Sequence, residues 1–179
     1  KIDTLINNAA YVGTSSFKNW NIEFLKQSPD NWSDVFKVNL TSIFSITQKI
    51  SNKLSKSKSP SVINISSVYS VIPPKLDLYK GTTINNPASY SVSKAGLNYL
   101  TRWLAVNLAN KKIRVNSISP GGIDNGQEKK FLKKYISKTL LRRMTTKKDI
   151  FKCCLFLSSN MSDYITGQNI IVDGGFSIK

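Results

Sequence analysis

The residues of this chain best spaced to do chemistry are Tyr90 and Lys94, in the stretch Tyr90-Ser91-Val92-Ser93-Lys94. Four positions apart on a helix, they stand on one face, one turn from each other. A free phenol titrates at about 10 and is a poor base at neutral pH. An ammonium close by favours the phenolate, so the pairing predicts a lowered tyrosine pKa and a proton donor and acceptor usable near neutrality. The lysine keeps N–H donors for a second partner. The same spacing also describes an ordinary solvated helix face, so the rest of the chain must supply the context.

Two more polar groups sit where regular elements would aim them. Ser61-Val62-Ile63-Asn64-Ile65 reads as a strand and closes on Ser66-Ser67. Hydroxyls at that place lie at a strand's carboxyl end, where open α/β sheets bind ligands. Asn39 is an amide beside the apolar face of a long helix. It either pairs locally or is held at a kink beside an active site. The chain has no histidine, which removes Ser-His-Asp and Cys-His catalysis and the commonest metal ligand. Its two cysteines, Cys153 and Cys154, are neighbours in an apolar helical run. They read as reduced core residues, and no metal site is expected.

The elements that must position these groups alternate between strand and helix. Ile2–Ile6 reads as a buried strand that ends at Asn7-Asn8-Ala9-Ala10. A loop with Phe17, Trp20 and Phe24 follows to Gln27. Ser28-Pro29-Asp30 starts a helix, with serine as N-cap and proline at the first position. Its 3.6-residue apolar period runs through Val35, Leu40 and Ile43 to Ile50. After the Ser61–Ile65 strand comes a long loop from Val68 to Ala88, of the length that functional lids have. Ser89 is then expected to cap the helix that bears Tyr90 and Lys94. Lys112–Ile118 reads as a strand closed by Ser119-Pro120-Gly121-Gly122. A basic amphipathic segment over Glu128–Ser137, a helix over Thr146–Ser158 and a last strand over Ile170–Val172 complete the chain. Such alternation implies an α/β fold with a parallel sheet and helices on both faces.

Composition bounds the function. With 179 residues, 40% of them hydrophobic, the chain can bury a core as one domain. Lys plus Arg number 26 against 10 acids, for a net charge of +16. The lysines are scattered over helix ends and polar faces, so they read as a solvated basic surface and no nucleic-acid partner is expected. No apolar run is long enough to span a bilayer, and Lys1-Ile2-Asp3-Thr4-Leu5-Ile6 does not read as a signal peptide. A cytoplasmic protein with no membrane contact is the expectation. The chain opens without methionine on a strand-like run, as a chain cut from something longer would.

The order NNAA, VNL, INISS, YSVSK, SPGG, ITGQ and VDGG resembles the short-chain dehydrogenase/reductase family over essentially the whole chain. The resemblance implies a three-layer Rossmann-type fold that carries NAD or NADP. It makes Tyr90 the acid/base, Lys94 the group that lowers its pKa and holds the nicotinamide ribose, and Ser67 the hydrogen-bond partner of the reacting oxygen. Asn39 would anchor a water that extends the proton relay. Asn8 and Ala9 would lie along the adenosine side of the cofactor, and Pro120, Gly121 and Ile123 at its nicotinamide end. Ala10, Ser70 and Asn125 depart from the family's usual residues.

Family members begin with further strand-helix units, including a Gly-rich phosphate loop. Residues 1–179 therefore read as the carboxyl-terminal portion of one such domain, with N-terminal strands missing and no turnover expected of the chain alone. The family also pairs its long helices across two-fold axes. That implies a homodimer or homotetramer, with Phe44, Trp103 and Leu104 as surplus apolar surface. The extended Ser67–Tyr90 interval and PGGIDNGQ resemble the branch found with flagellin modification and nonulosonic acid sugars, so a sugar or nucleotide-sugar substrate is expected. Alternatives are a nucleotide-sugar epimerase or dehydratase on the same scaffold, a catalytically incomplete fragment, and a basic binding module.

Overall fold

The computed structural model describes residues 1–12, 20 and 22–179. Phe17, expected in the first loop, lies outside them. Four parallel strands form one sheet in the order β1 (Thr4–Asn7), β2 (Ser61–Ile65), β3 (Arg114–Pro120), β4 (Asn169–Val172). The register runs Thr4 opposite Ser61, Ser61 opposite Arg114 and Ser117 opposite Asn169. Between the strands lie α1 (Pro29–Phe36), α2 (Ser42–Leu54), α3 (Ala88–Leu108), α4 (Lys129–Ser137) and α5 (Lys147–Ser158).

Alternate residues of the central strands point to opposite faces, and each face has its own core. Val62 and Val115 pack with Leu54, Leu104 and Ala105 of α2 and α3. Ile63 and Ile118 pack with Leu157, Cys153 and Cys154 of α5. The three-layer expectation is met, and both cysteines are free and half-buried. A third cluster, with Val68, Leu78, Phe131, Tyr135 and Phe176, covers the carboxyl end of the sheet. It is built from the connections, α4 and the last turn.

Helix starts follow local chemistry. Ser28 Oγ accepts from the Asn31 N–H (3.2 Å) with Pro29 at the first position. Thr146 and Asp149 form a reciprocal capping box at α5. α3 departs from expectation: its N-cap is Pro87, and Ser89 is buried inside the first turn. Proline already supplies the extended backbone that a cap needs. β3 starts two residues later than expected. The turn Ala109–Lys111 continues from α3, and Lys112 closes it with a left-handed backbone (φ 55°). β1 also starts late: Ile2 packs on the α2/α3 core, while pairing begins at Thr4.

Candidate active site

The four strands run in one direction, so their carboxyl ends share one edge. Ser67 follows β2 there. Its extended backbone lets Oγ accept from the Tyr69 N–H (3.2 Å), which caps the short turn Val68–Ser70. α3 packs against β3 and that turn. This brings the Tyr90 phenol beside the Ser67 hydroxyl, near enough for Ser67 to pull against the rise of its pKa. Trp20 sets its ring edge-on to Tyr90, with centroids 6.1 Å apart.

Lys94 reaches back under the site. It is 2% exposed, and Nζ donates to Ile65 O at 2.7 Å. Nζ stands 6.0 Å from the Tyr90 ring centroid. Loss of water around it pulls the ammonium pKa down to about 8. Tyr90 does not have the lowered pKa that the sequence spacing predicts. Burial pushes its phenol up, and the Ser67 side chain beside it only partly opposes this. The ammonium is directed at a backbone carbonyl instead of the phenol oxygen, so desolvation wins over charge.

Asn39 lies in a π-helical turn, Lys37–Thr41, between α1 and α2, and is fully buried. Its Oδ1 accepts from the Tyr11 N–H (2.8 Å), while Nδ2 donates to Tyr11 O (3.2 Å) and to Ser93 Oγ (3.2 Å). Both amide protons are therefore used. The side chain ties the segment after β1 to the helix turn that carries Tyr90 and Lys94. Ser93 Oγ in turn donates to Tyr90 O (2.8 Å). A kink at Asn39 was legible in the sequence; its use as a clamp was not.

Asn39, Ser67, Tyr90 and Lys94 thus form one connected cluster. Pro120 is buried at the end of β3, and the Gly121 N–H donates to Val172 O (2.9 Å). A Cβ on Gly121 would stand 2.9 Å from Asp173 Cα, and one on Gly122 about as close to the Tyr135 ring and Met144. The glycines let this loop press against the Asp173 backbone, Tyr135 and Met144. Ile123 bridges to Thr145 beyond them. Asn8 and Ala9 are exposed on the rim one strand away, beyond Asn7, whose Nδ2 donates to Asn64 Oδ1 (2.8 Å).

Several polar groups near the cluster escaped the sequence reading. The Tyr135 hydroxyl accepts from the Gly122 N–H (2.5 Å), and burial drives its pKa upward. Ser70 Oγ donates to Ser67 O, accepts from Asn98 Nδ2 (2.7 Å) and meets Ser119 Oγ (3.1 Å). Ser70 occupies a place where the family often has glycine. That departure was the one signal that could have pointed to this network.

Lys94 also tests whether the site suits a nicotinamide cofactor. Its ammonium has three donors and, among the described residues, one acceptor, Ile65 O. Two buried N–H groups remain for a partner such as a ribose diol, so the residues fit.

Open parallel sheets bind ligands, dinucleotides among them, at the carboxyl ends of their strands, the edge where Ser67, Tyr90 and Lys94 gather. The chain belongs to the short-chain dehydrogenase/reductase family: the profile described as Enoyl-(Acyl carrier protein) reductase matches residues 1–177. It is 34% identical to the Post-translational flagellin modification protein A of Campylobacter coli, over 99% of this chain and 68% of that protein. It is 37% identical to the 3-oxoacyl-[acyl-carrier-protein] reductase of Buchnera aphidicola, over 98% of this chain and 66% of that one. A solved short chain dehydrogenase from Leptospira borgpetersenii with bound NAD+ superposes with a TM-score of 0.86 at 35% identity. That match covers 98% of this chain and 65% of the other. The chain thus spans about two thirds of the length of these relatives.

Proposed function

We propose that the protein interconverts an alcohol and a carbonyl with NAD or NADP, on a sugar or nucleotide-sugar type substrate. The observation that carries this reading is the Ser67–Tyr90 pair beside a buried lysine whose ammonium meets one acceptor, Ile65 O, among the described residues. The nicotinamide, when bound, supplies or takes up the hydride. The Ser67 and Tyr90 hydroxyls hold the substrate oxygen. During reduction the Tyr90 O–H bond breaks as its proton passes to that oxygen, and the alcohol O–H forms. Burial keeps Tyr90 protonated at neutral pH, which is the form carbonyl reduction needs. Lys94 would hold the nicotinamide ribose and, as a cation, stabilise the phenolate left behind. Asn39 fixes the helix turn that carries both. A water in the relay would use a backbone carbonyl freed by the π turn, because the amide protons are occupied. Asn8 and Ala9 would meet the adenosine side, and Pro120, Gly121 and Ile123 the nicotinamide end.

The likeness to a flagellin modification protein supports the sugar substrate, and the likeness to 3-oxoacyl reductases supports an acyl thioester as the second reading. We place the protein in the cytoplasm as a homodimer or homotetramer. No helix among the described residues is long and apolar enough to cross a membrane. Trp103 is 47% exposed, and with Phe44, Tyr99 and Leu40 it lines an apolar groove on α2 and α3 suited to a second copy. Leu104, expected on that face, is instead 3% exposed and belongs to the core.

The decisive experiment is Tyr90→Phe in the complete gene product. Only the proton handle is removed, so the fold should persist while turnover falls by about 10²–10⁴-fold. Near-normal rates would end this assignment.

A further inference from the structure

The long loop before α3 holds a directed chain of hydrogen bonds that the catalytic cluster does not use. The Tyr79 hydroxyl donates to the Tyr69 hydroxyl at 2.7 Å. The Asn86 side chain lies beside Tyr79 and opposes the rise of its pKa, and Asn86 Oδ1 accepts the Ser91 hydroxyl at 2.7 Å. A phenol has one proton, and Tyr79 gives its own to Tyr69. The proton of Tyr69 itself then has no acceptor among the described residues.

Both ends of this chain are fixed beside the catalytic groups. Tyr69 lies two residues beyond Ser67, and its backbone N–H holds Ser67 Oγ (3.2 Å). Ser91 directly follows Tyr90 on α3. Tyr69 is half-buried, with its ring edge-on to Phe176 at 6.5 Å. Tyr90 and Tyr135 both stand close enough to act on it electrostatically, and burial raises the pKa of Tyr69 and Tyr79 alike. Both phenols therefore remain donors across the neutral range. A half-buried donor oriented by Tyr79 and met by no acceptor among the described residues is open to a ligand oxygen.

We infer that Tyr69 is a substrate-contacting residue whose free O–H donates to a second oxygen of the substrate, one near the carbon that is oxidised or reduced. This rests on the proposed function and narrows it to polyhydroxylated substrates, such as sugar acids, with Tyr79 as a positioning residue. A site built to bond a hydroxyl discriminates strongly against the analogue that lacks it.

The test uses the complete gene product with a panel of hexonates, their single-position deoxy analogues and a 3-oxobutanoyl thioester. Tyr69→Phe is expected to lower kcat/KM for a hydroxylated substrate about tenfold or more, mainly through KM. It should leave the rate on the matching deoxy analogue and the pH profile unchanged. Tyr79→Phe, which removes only the orienting bond, should show a smaller loss of the same kind. Calorimetric titration of a hexonate into the folded variants should show the same weakening without reliance on turnover. Equal effects of Tyr69→Phe on hydroxylated and deoxy compounds would overturn the inference, as would turnover confined to the thioester. Tyr90→Phe in the same panel separates the two readings: activity surviving there defeats the catalytic assignment, whereas a silent Tyr69→Phe beside a dead Tyr90→Phe defeats only the substrate contact.

Discussion

Lys94, on α3, and Arg114, on β3, are both buried cations at opposite ends of the same sheet, and they are treated differently. Arg114 opens β3 and is 7% exposed. Its guanidinium donates to Leu157 O (2.9 Å), Ser162 Oγ (2.8 Å), Ser159 O (3.2 Å) and Ser59 Oγ (3.4 Å), and Asp163 stands 3.8 Å away. Lys94 lies by the last residue of β2 with a single acceptor. Burial lowers both pKa values, but at Arg114 a carboxylate opposes it and at Lys94 nothing does. Four of the five N–H donors of Arg114 are met by hydrogen bonds, and the fifth, on Nε, faces the Asp163 carboxylate at 3.8 Å. Lys94 is left half-satisfied among the described residues, as the proposed cofactor contact requires.

The sharpest way to break this contrast is Lys94→Met. Turnover of the complete protein should fall at least about 10²-fold, with weaker cofactor binding, because the ribose partner and the charge beside Tyr90 both disappear. Thermal unfolding should change little. The substitution removes a poorly solvated cation and leaves one carbonyl, Ile65 O, without its donor. A large loss of stability with intact cofactor binding would make Lys94 structural and erase the distinction.

Arg114→Met should do the reverse. It strips donors from Leu157 O, Ser159 O and Ser162 Oγ at once, all at the seam between β3 and the end of α5. We expect a loss of about 3 kcal/mol, read by denaturant unfolding, from several buried acceptors left unpaired. Cofactor affinity of the folded fraction should be unchanged, since the site is at the other end of the sheet.

Much of this arrangement was legible because it depends on local pattern. β-branched runs marked β2 and β3, the serine-proline pair marked α1, and four-residue spacing put Tyr90 and Lys94 on one helix face. Their joining with Ser67 and Asn39 followed from the family resemblance. Spacing could not reveal what the third dimension adds. Trp20 covers Tyr90 from a distant loop, and Lys94 chooses a carbonyl over the phenol. Together these reverse the expected direction of the tyrosine pKa. Arg114 reads in sequence as one more member of a basic surface. Its burial depends on carbonyls more than forty residues away. Leu104 and Trp103 are neighbours in a helix, and only the placement of α3 on the sheet decides which faces the core.

The smallest effect tests the same contrast through pH. Lys94 in the folded chain titrates at about 8, against an ordinary value of 10.5. Below about 8 both folded and unfolded chains hold the proton, so stability does not change with pH on its account. Between there and 10.5 the unfolded chain keeps a proton that the folded one has lost. Stability therefore rises with pH across that window, by less than about 3 kcal/mol. Cys153 acts in the opposite sense: its folded thiol is raised to about 11 from 9.0, so stability is lost as pH climbs between those values. Tyr69, Tyr79, Tyr90 and Tyr135, all raised, add to that loss above 10.0. The wild-type curve mixes these trends, so the informative quantity is its difference from Lys94→Met. That difference should be flat below about pH 8 and should then shift in favour of the wild type. Bound cofactor should suppress the shift by holding Lys94 protonated. An Arg114→Met curve parallel to the wild type over the same range would show that only the half-satisfied cation is tuned to titrate. If the Lys94→Met curve were parallel as well, Lys94 would stay charged throughout, and burial would not be what sets its chemistry.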